Sequence, residues 1–158
     1  MKHIRQRGFT LLELLVVLVI VGIMLGFVTL NALPSGRQAL QNEAQRIALL
    51  LQLARDEAIV RNRPVAFEVD QYRYRFWILD ENNVWQAMDR DDMLREREFQ
   101  RAPVSLAIDP PMMGQNNDNT LRIVFGREPV DKPFILSMSV GDATVSIRAD
   151  GIGNFTVD

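Results

Sequence analysis

GFTLLELLVVLVIVGIMLGFVTLNAL, running from Gly8 to Leu33, is apolar almost without interruption, broken by Thr10, Glu13, Thr29 and Asn31. Beyond Glu13 the run continues for about 20 residues, enough at ~1.5 Å rise per residue to cross a hydrocarbon core of ~30 Å. Lys2, Arg5 and Arg7 precede it without an acid. The positive-inside bias then keeps this short leader in the cytoplasm and sends everything after Leu33 to the far side. A cleaved secretory signal would need a shorter apolar core and a small-residue site, and Asn31-Ala32-Leu33-Pro34 fits that poorly. The spacing predicts a leader over residues 1–8 and a membrane helix over 9–33.

A plain signal anchor explains all of this except Glu13. A carboxylate inside a membrane segment costs roughly 2.5–3.5 kcal/mol on insertion scales, and such residues usually carry a partner and a function. Snorkelling to the interface is the plainer account, since Glu13 stands one turn inside. Arg7-Gly8-Phe9-Thr10-Leu11-Leu12-Glu13 followed by a long aliphatic helix resembles the class III signal of type IV pilins and pseudopilins. Gly8, Phe9 and Glu13 match that pattern position by position. The resemblance implies that prepilin peptidase cuts between Gly8 and Phe9 and that the new amino group of Phe9 is methylated. It also implies that Glu13 pairs with the Phe9 amine of a neighbouring subunit during assembly. At low dielectric such a pair attracts strongly, and an unpaired partner is costly, so the pair sets axial register. Gly22 and Gly26 form a G-x-x-x-G inside the same run, a spacing that permits close helix approach.

Downstream, Leu33-Pro34-Ser35-Gly36 reads as a kink or brief break, with Ser35 as an N-cap. The segment 34–63 then reads as an amphipathic helix, running from about Arg37 to Asn62. Leu40, Ala44, Ile47, Leu51, Ala54 and Ala58 form one stripe at helical spacing, and Arg63-Pro64 ends it. After Pro64 the period changes from 3.6 to 2. Strands are expected at Val65–Val69, Tyr72–Leu79, Val84–Met88, Val104–Ile108, Leu121–Phe125, Phe134–Val140, Ala143–Ala149 and Asn154–Val157. Asp70-Gln71, Asp80–Asn83, Gly141-Asp142 and Asp150-Gly151 supply turns between them. Asp89–Gln100 is charged and ambiguous, and Asp109–Asn119 reads as a loop. The expected fold is α+β: a long N-terminal helix, membrane-spanning and then amphipathic, followed over 64–158 by a mainly antiparallel β-sandwich of about eight strands.

Composition narrows the function by exclusion. The chain has no cysteine, and its only histidine is His3 in the leader. Ser–His and Cys–His catalysis and ordinary zinc sites are therefore ruled out for the body, leaving only carboxylates for chemistry. Asp89, Asp91 and Asp92 are the densest acidic group, read as a hydrated loop. Asp142, Asp150 and Asp158 do not make a recognisable calcium ligand spacing and read as turn residues. No metal, cofactor or catalytic residue is expected. The formal net charge is −2, and Arg148 stands among acids near the C-terminus, so no nucleic-acid partner is expected. The groups Arg73/Arg75 and Arg95/Arg97/Arg101 are interleaved with acids or aromatics and read as solvated faces.

Three short segments sharpen the resemblance. Ala54-Arg55-Asp56-Glu57-Ala58-Ile59 with Arg63-Pro64-Val65, then Pro133-Phe134-Ile135-Leu136, then Asp150-Gly151-Ile152-Gly153 are similar to the H-type minor pseudopilins of type II secretion. That resemblance implies a bacterial inner-membrane protein with a cytoplasmic N-terminus and a periplasmic domain. It further implies a structural subunit near the pseudopilus tip, joining a tip complex to the shaft. The partners it implies are other minor pseudopilins, the major pseudopilin, prepilin peptidase and the inner-membrane assembly platform. A minor pilin of a type IV pilus is the nearest alternative. A membrane-anchored periplasmic enzyme or binding domain is the alternative from another class.

Overall fold

The computed structural model describes residues 11–31, 36–111 and 120–158, with the side chains of 25–31 set aside. The expected break with its N-cap Ser35 and most of the expected loop 109–119 lie outside the described residues. The chain divides into two compact units, Met1–Pro34 and Ser35–Asp158. The first contains helix α1, Leu11–Asn31. Its sequence has one charged residue, Glu13, and its described apolar side chains are exposed by 45% or more. Among the described residues no helix is long and apolar enough to cross a membrane.

The second unit opens with α2, Gly36–Val60. Leu40, Ala44, Ile47, Leu51, Ala54 and Ala58 are all buried, as their spacing requires. The small side chains let the helix lie close to strands, and it packs on both sheets of the sandwich. Its C-terminus is closed by a Schellman arrangement. Arg63 N–H donates to Ala58 O and Asn62 N–H to Ile59 O, with Asn62 left-handed at φ 54°. Pro64, which has no N–H to donate, follows directly.

Among the described residues nine strands follow: β1 Val65–Val69, β2 Arg73–Leu79, β3 Trp85–Ala87, β4 Arg97–Glu98, β5 Ser105–Asp109, β6 Leu121–Phe125, β7 Phe134–Val140, β8 Ala143–Ala149 and β9 Phe155–Val157. They form two sheets. One has the order β3-β2-β1-β6 with β4 also paired to β2; the other has the order β5-β7-β8-β9. Every pairing is antiparallel. The α+β architecture, a helix followed by a mainly antiparallel β-sandwich, is as expected.

Two details correct the sequence reading. The ambiguous stretch 89–100 contains a short strand, β4, because Phe99 and Leu94 bury their side chains and draw the intervening backbone against β2. Tyr72, expected to open the strand that ends at Leu79, instead lies in the turn before β2 and is 60% exposed. Its N–H is taken by the Asp70 carboxylate, which accepts from both Tyr72 and Arg73 and so begins the strand one residue later. Inward-facing Val65, Phe67, Tyr74, Phe76, Ile123 and Phe125 of the first sheet share one core with Leu136, Met138, Val145 and Ile147 of the second and with the α2 stripe.

Candidate functional site

The residues that the sequence marks for chemistry stand at the beginning of the chain. Gly8 and Phe9 lie outside the described residues. Glu13 is in the first turn of α1. There a carboxylate faces the positive end of the helix dipole, a favourable placement for a negative charge. Gly22 has nothing within 4 Å of where a Cβ would stand, and the surroundings of Gly26 are not described.

Inside the globular unit, two buried charges escaped the sequence reading. Glu43 is 5% exposed; it accepts from the Tyr74 hydroxyl at 2.9 Å and faces Arg46 at 3.5 Å. Burial, followed by the charge of Glu43, pushes the Tyr74 hydroxyl well above its ordinary pKa. Tyr74 is therefore a fixed proton donor, and the pair fastens the N-terminal part of α2 to the start of β2. The signal was available: Glu43 is three residues after Leu40 and four before Ile47, inside the apolar stripe.

Arg55 is the second. It is 7% exposed and also stands on the stripe, between Leu51 and Ala58. One guanidinium nitrogen donates to Pro129 O, Nη1 faces Asp56 at 3.6 Å, and Nε lies 3.8 Å from the Asp131 carboxylate. Burial raises the pKa of Asp131, opposed by the Gly126 N–H and by Arg55. The backbone N–H of Asp131 donates to Gly151 O at 2.8 Å. A Cβ on Gly151 would overlap the Asp131 carbonyl, and one on Gly153 would overlap the Arg55 guanidinium. Asp150 then accepts from the N–H groups of Ile152, Gly153 and Asn154. Those bonds, that of Ile152 foremost, hold its carboxyl below the usual carboxylate range.

The three segments that seemed unrelated in sequence therefore meet at one place. Arg55 of the helix, the approach to Phe134 and the Asp150–Gly153 turn converge around a single guanidinium. This arrangement pins loops. Among the described residues no group of three potential metal ligands is found.

Comparison with known proteins agrees with this geometry. The model of the family described as type II transport protein GspH matches residues 43–157, and that of the prokaryotic N-terminal methylation motif matches residues 4–29. The chain is 35% identical over 88 residues to the type II secretion system protein H of Pseudomonas aeruginosa, covering 54% of this chain and 51% of that protein. It thus spans about half the length of that relative. To the protein of the same description from Aeromonas hydrophila it is 25% identical, covering 97% of this chain and 93% of that one. Among solved structures, the minor pseudopilin EpsH of the Vibrio cholerae type 2 secretion system matches with a TM-score of 0.58 at 17% identity. That match covers 78% of this chain and 98% of the other, and it speaks for the fold alone. The GspH model begins at the buried Glu43 and spans Arg55 and both loops that it holds, and on that match the chain belongs to the type II transport protein GspH family.

Proposed function

We propose that this chain is a membrane-anchored minor pseudopilin of a type II secretion system. In this reading prepilin peptidase removes residues 1–8 between Gly8 and Phe9, and Phe9 is then N-methylated. Residues 9–33 form the membrane and filament-core helix, 34–63 the amphipathic helix, and 64–158 the periplasmic sandwich. The single observation that carries the reading is the methylation motif over 4–29 on the same chain as the GspH match over 43–157.

Glu13 supplies the assembly chemistry. Its carboxylate would pair with the Phe9 amine of the next subunit, with Gly22 and Gly26 allowing close approach of the helices. The partners are other minor pseudopilins, the major pseudopilin and the inner-membrane assembly platform. The chain's place is near the pseudopilus tip, between the tip complex and the shaft. Its role there is structural. The Arg55 pin and the Glu43–Tyr74 bond serve to present a rigid domain, since both join distant segments of the same unit. A type IV minor pilin is the second reading. It is favoured by 47% identity over 64 residues to the pilin-like protein PilA1 of Thermus thermophilus, a match covering 40% of each chain.

The test replaces Glu13 by Gln in the full chain, in cells lacking the wild-type copy. The expected outcome is a protein that is made and processed but fails to co-purify with the other pseudopilins. Normal co-assembly of Glu13→Gln would overturn the pairing role.

A further inference from the structure

An open sheet ends in edge strands, and each presents a row of backbone N–H and C=O groups that a further strand can take. The first sheet ends in β3 and β4 on one side and in β6 on the other; the second ends in β5 and β9. Most of these edges are short or guarded. β3 and β9 have three residues each and β4 has two. β5 lies between Pro103 and Pro110-Pro111, and proline is a common guard of edges. β6 has five residues and neither proline nor lysine. Among the described residues no strand lies on its side away from β1, and no further backbone hydrogen bond reaches it.

The one charge on β6 is turned from that edge. Arg122 sends its guanidinium back across the sheet, 3.8 Å from Glu68 on β1, 5.9 Å from the Trp77 ring on β2 and 4.6 Å over the Trp85 ring on β3. A charged side chain on an edge normally discourages a second strand. Here the two tryptophans hold it on the far side of β1. A mainly apolar groove of about 770 Å³ runs beside β6 to the start of β7, lined by Pro64, Pro110, Pro111, Val124, Phe125 and Phe134 among others. Of the charges in its lining, Arg122 and Asp131 are taken up within the chain by Glu68 and Arg55, which leaves Lys132. Backbone pairing, not charge, is what this edge offers.

The occupant follows from geometry and from strength. Two copies of this chain joined by antiparallel β6 strands would be related by a two-fold axis normal to the sheet, which reverses every direction in its plane. Their α2 helices, packed on the sheets, would then run oppositely, although in the reading above both chains begin in one membrane. A five-residue edge also forms few hydrogen bonds, each of small net worth. It retains a partner only where that partner is already concentrated beside it. Subunits anchored in the same membrane meet that condition, whereas a freely diffusing protein does not.

We propose that the free edge of β6 is a strand-addition site for an extended segment of a different pseudopilin, one with apolar residues at alternate positions that enter the groove. The inference deepens the function proposed above and rests on it for the identity of the partner.

The experiment places a photo-cross-linking residue at Pro111 or Val124 of the full chain in cells that carry the intact secretion system. Thr156, exposed on β9 at the edge of the other sheet, is the control position. The expected result is a product from 111 and 124, absent from 156, with a pseudopilin other than this chain, identified by mass. Val124→Lys puts a charge on the bare edge at a position already 49% exposed, so the fold is kept. It should lower the yield from 111 about tenfold; an unchanged yield would show that the edge is not used. Strand addition has its own signature: in the complex with that pseudopilin, the β6 amides that do not donate to β1 become protected from hydrogen exchange. A cross-link without that protection would overturn strand addition. A product with a second copy, with an exported protein or within this chain alone would overturn the assigned occupant. Equal yields at 156, or none at 111 and 124 in chains that co-purify with the pseudopilus, would overturn the site. Failure of the function itself would read differently: the chain would keep residues 1–8 and would not co-purify with pseudopilins at all.

Discussion

Burying a charge on a helix that faces two sheets is costly unless every such group finds a partner, and Glu43 and Arg55 show how this chain meets that requirement. Glu43 takes its hydrogen from Tyr74, which burial keeps protonated. Tyr74→Phe would leave the carboxylate with Arg46 alone, at 3.5 Å. A loss of about 1.5–3 kcal/mol in unfolding free energy is expected, the range for hydrogen bonds to charged groups; an unchanged midpoint in denaturant would show that the bond contributes nothing. Asp150 gives a prediction in pH. Its folded pKa is depressed, so its contribution is present above the unfolded value of about 4 and is lost as pH falls through the folded value. Asp150→Asn keeps an acceptor but removes the charge. The drop in melting temperature below about pH 4 should therefore be shallower in the variant. Parallel curves would contradict it. Residues such as these were only half legible. A polar group on an apolar stripe signals a buried partner, but nothing local says that the partner of Glu43 is 31 residues away on β2.

At the scale of elements, period and punctuation carried most of the information. The α2 stripe and the strands β6, β7 and β8 fell where alternation placed them, because each has one face buried and the other more open to water; β1 also fell as placed, although Ala66 on its outer face is buried too. Gly141 at φ 57° opens the two-residue turn between β7 and β8, as Gly-Asp suggested. What escaped was short or irregular. β4 has two residues and no period to read, and the start of β2 was decided by an Asp70 side chain rather than by Tyr72. The long-range closure at Arg55 was equally invisible, though its three segments were each noticed. Gly153 tests that closure. Its φ is 113° and a Cβ would overlap the Arg55 guanidinium. Gly153→Ala should cost at least about 1–3 kcal/mol, with the C-terminal turn losing amide protection first. Protection that remained as in the wild type would show that the guanidinium yields freely.

For the whole molecule, the two units have different tasks. The globular unit caps its own turns and holds Glu43 and Arg55 against groups of its own. Helix α1 of the N-terminal unit is apolar with an acid in its first turn. A filament subunit, as proposed, needs both: a rigid body to present and a helix that packs with those of its neighbours. That division also explains what could be read early. Glu13 drew attention in the sequence because a charge inside an apolar run stands out, whereas Gly8 and Phe9 were marked by the resemblance alone. The most direct test of the central claim is the intact mass of the chain from cells with and without prepilin peptidase. The account predicts a chain starting at Phe9 and carrying one added methyl when the peptidase is present, and full-length protein when it is absent. Uncut protein in both strains would contradict it, reducing Glu13 to a chance acid in a simple membrane anchor.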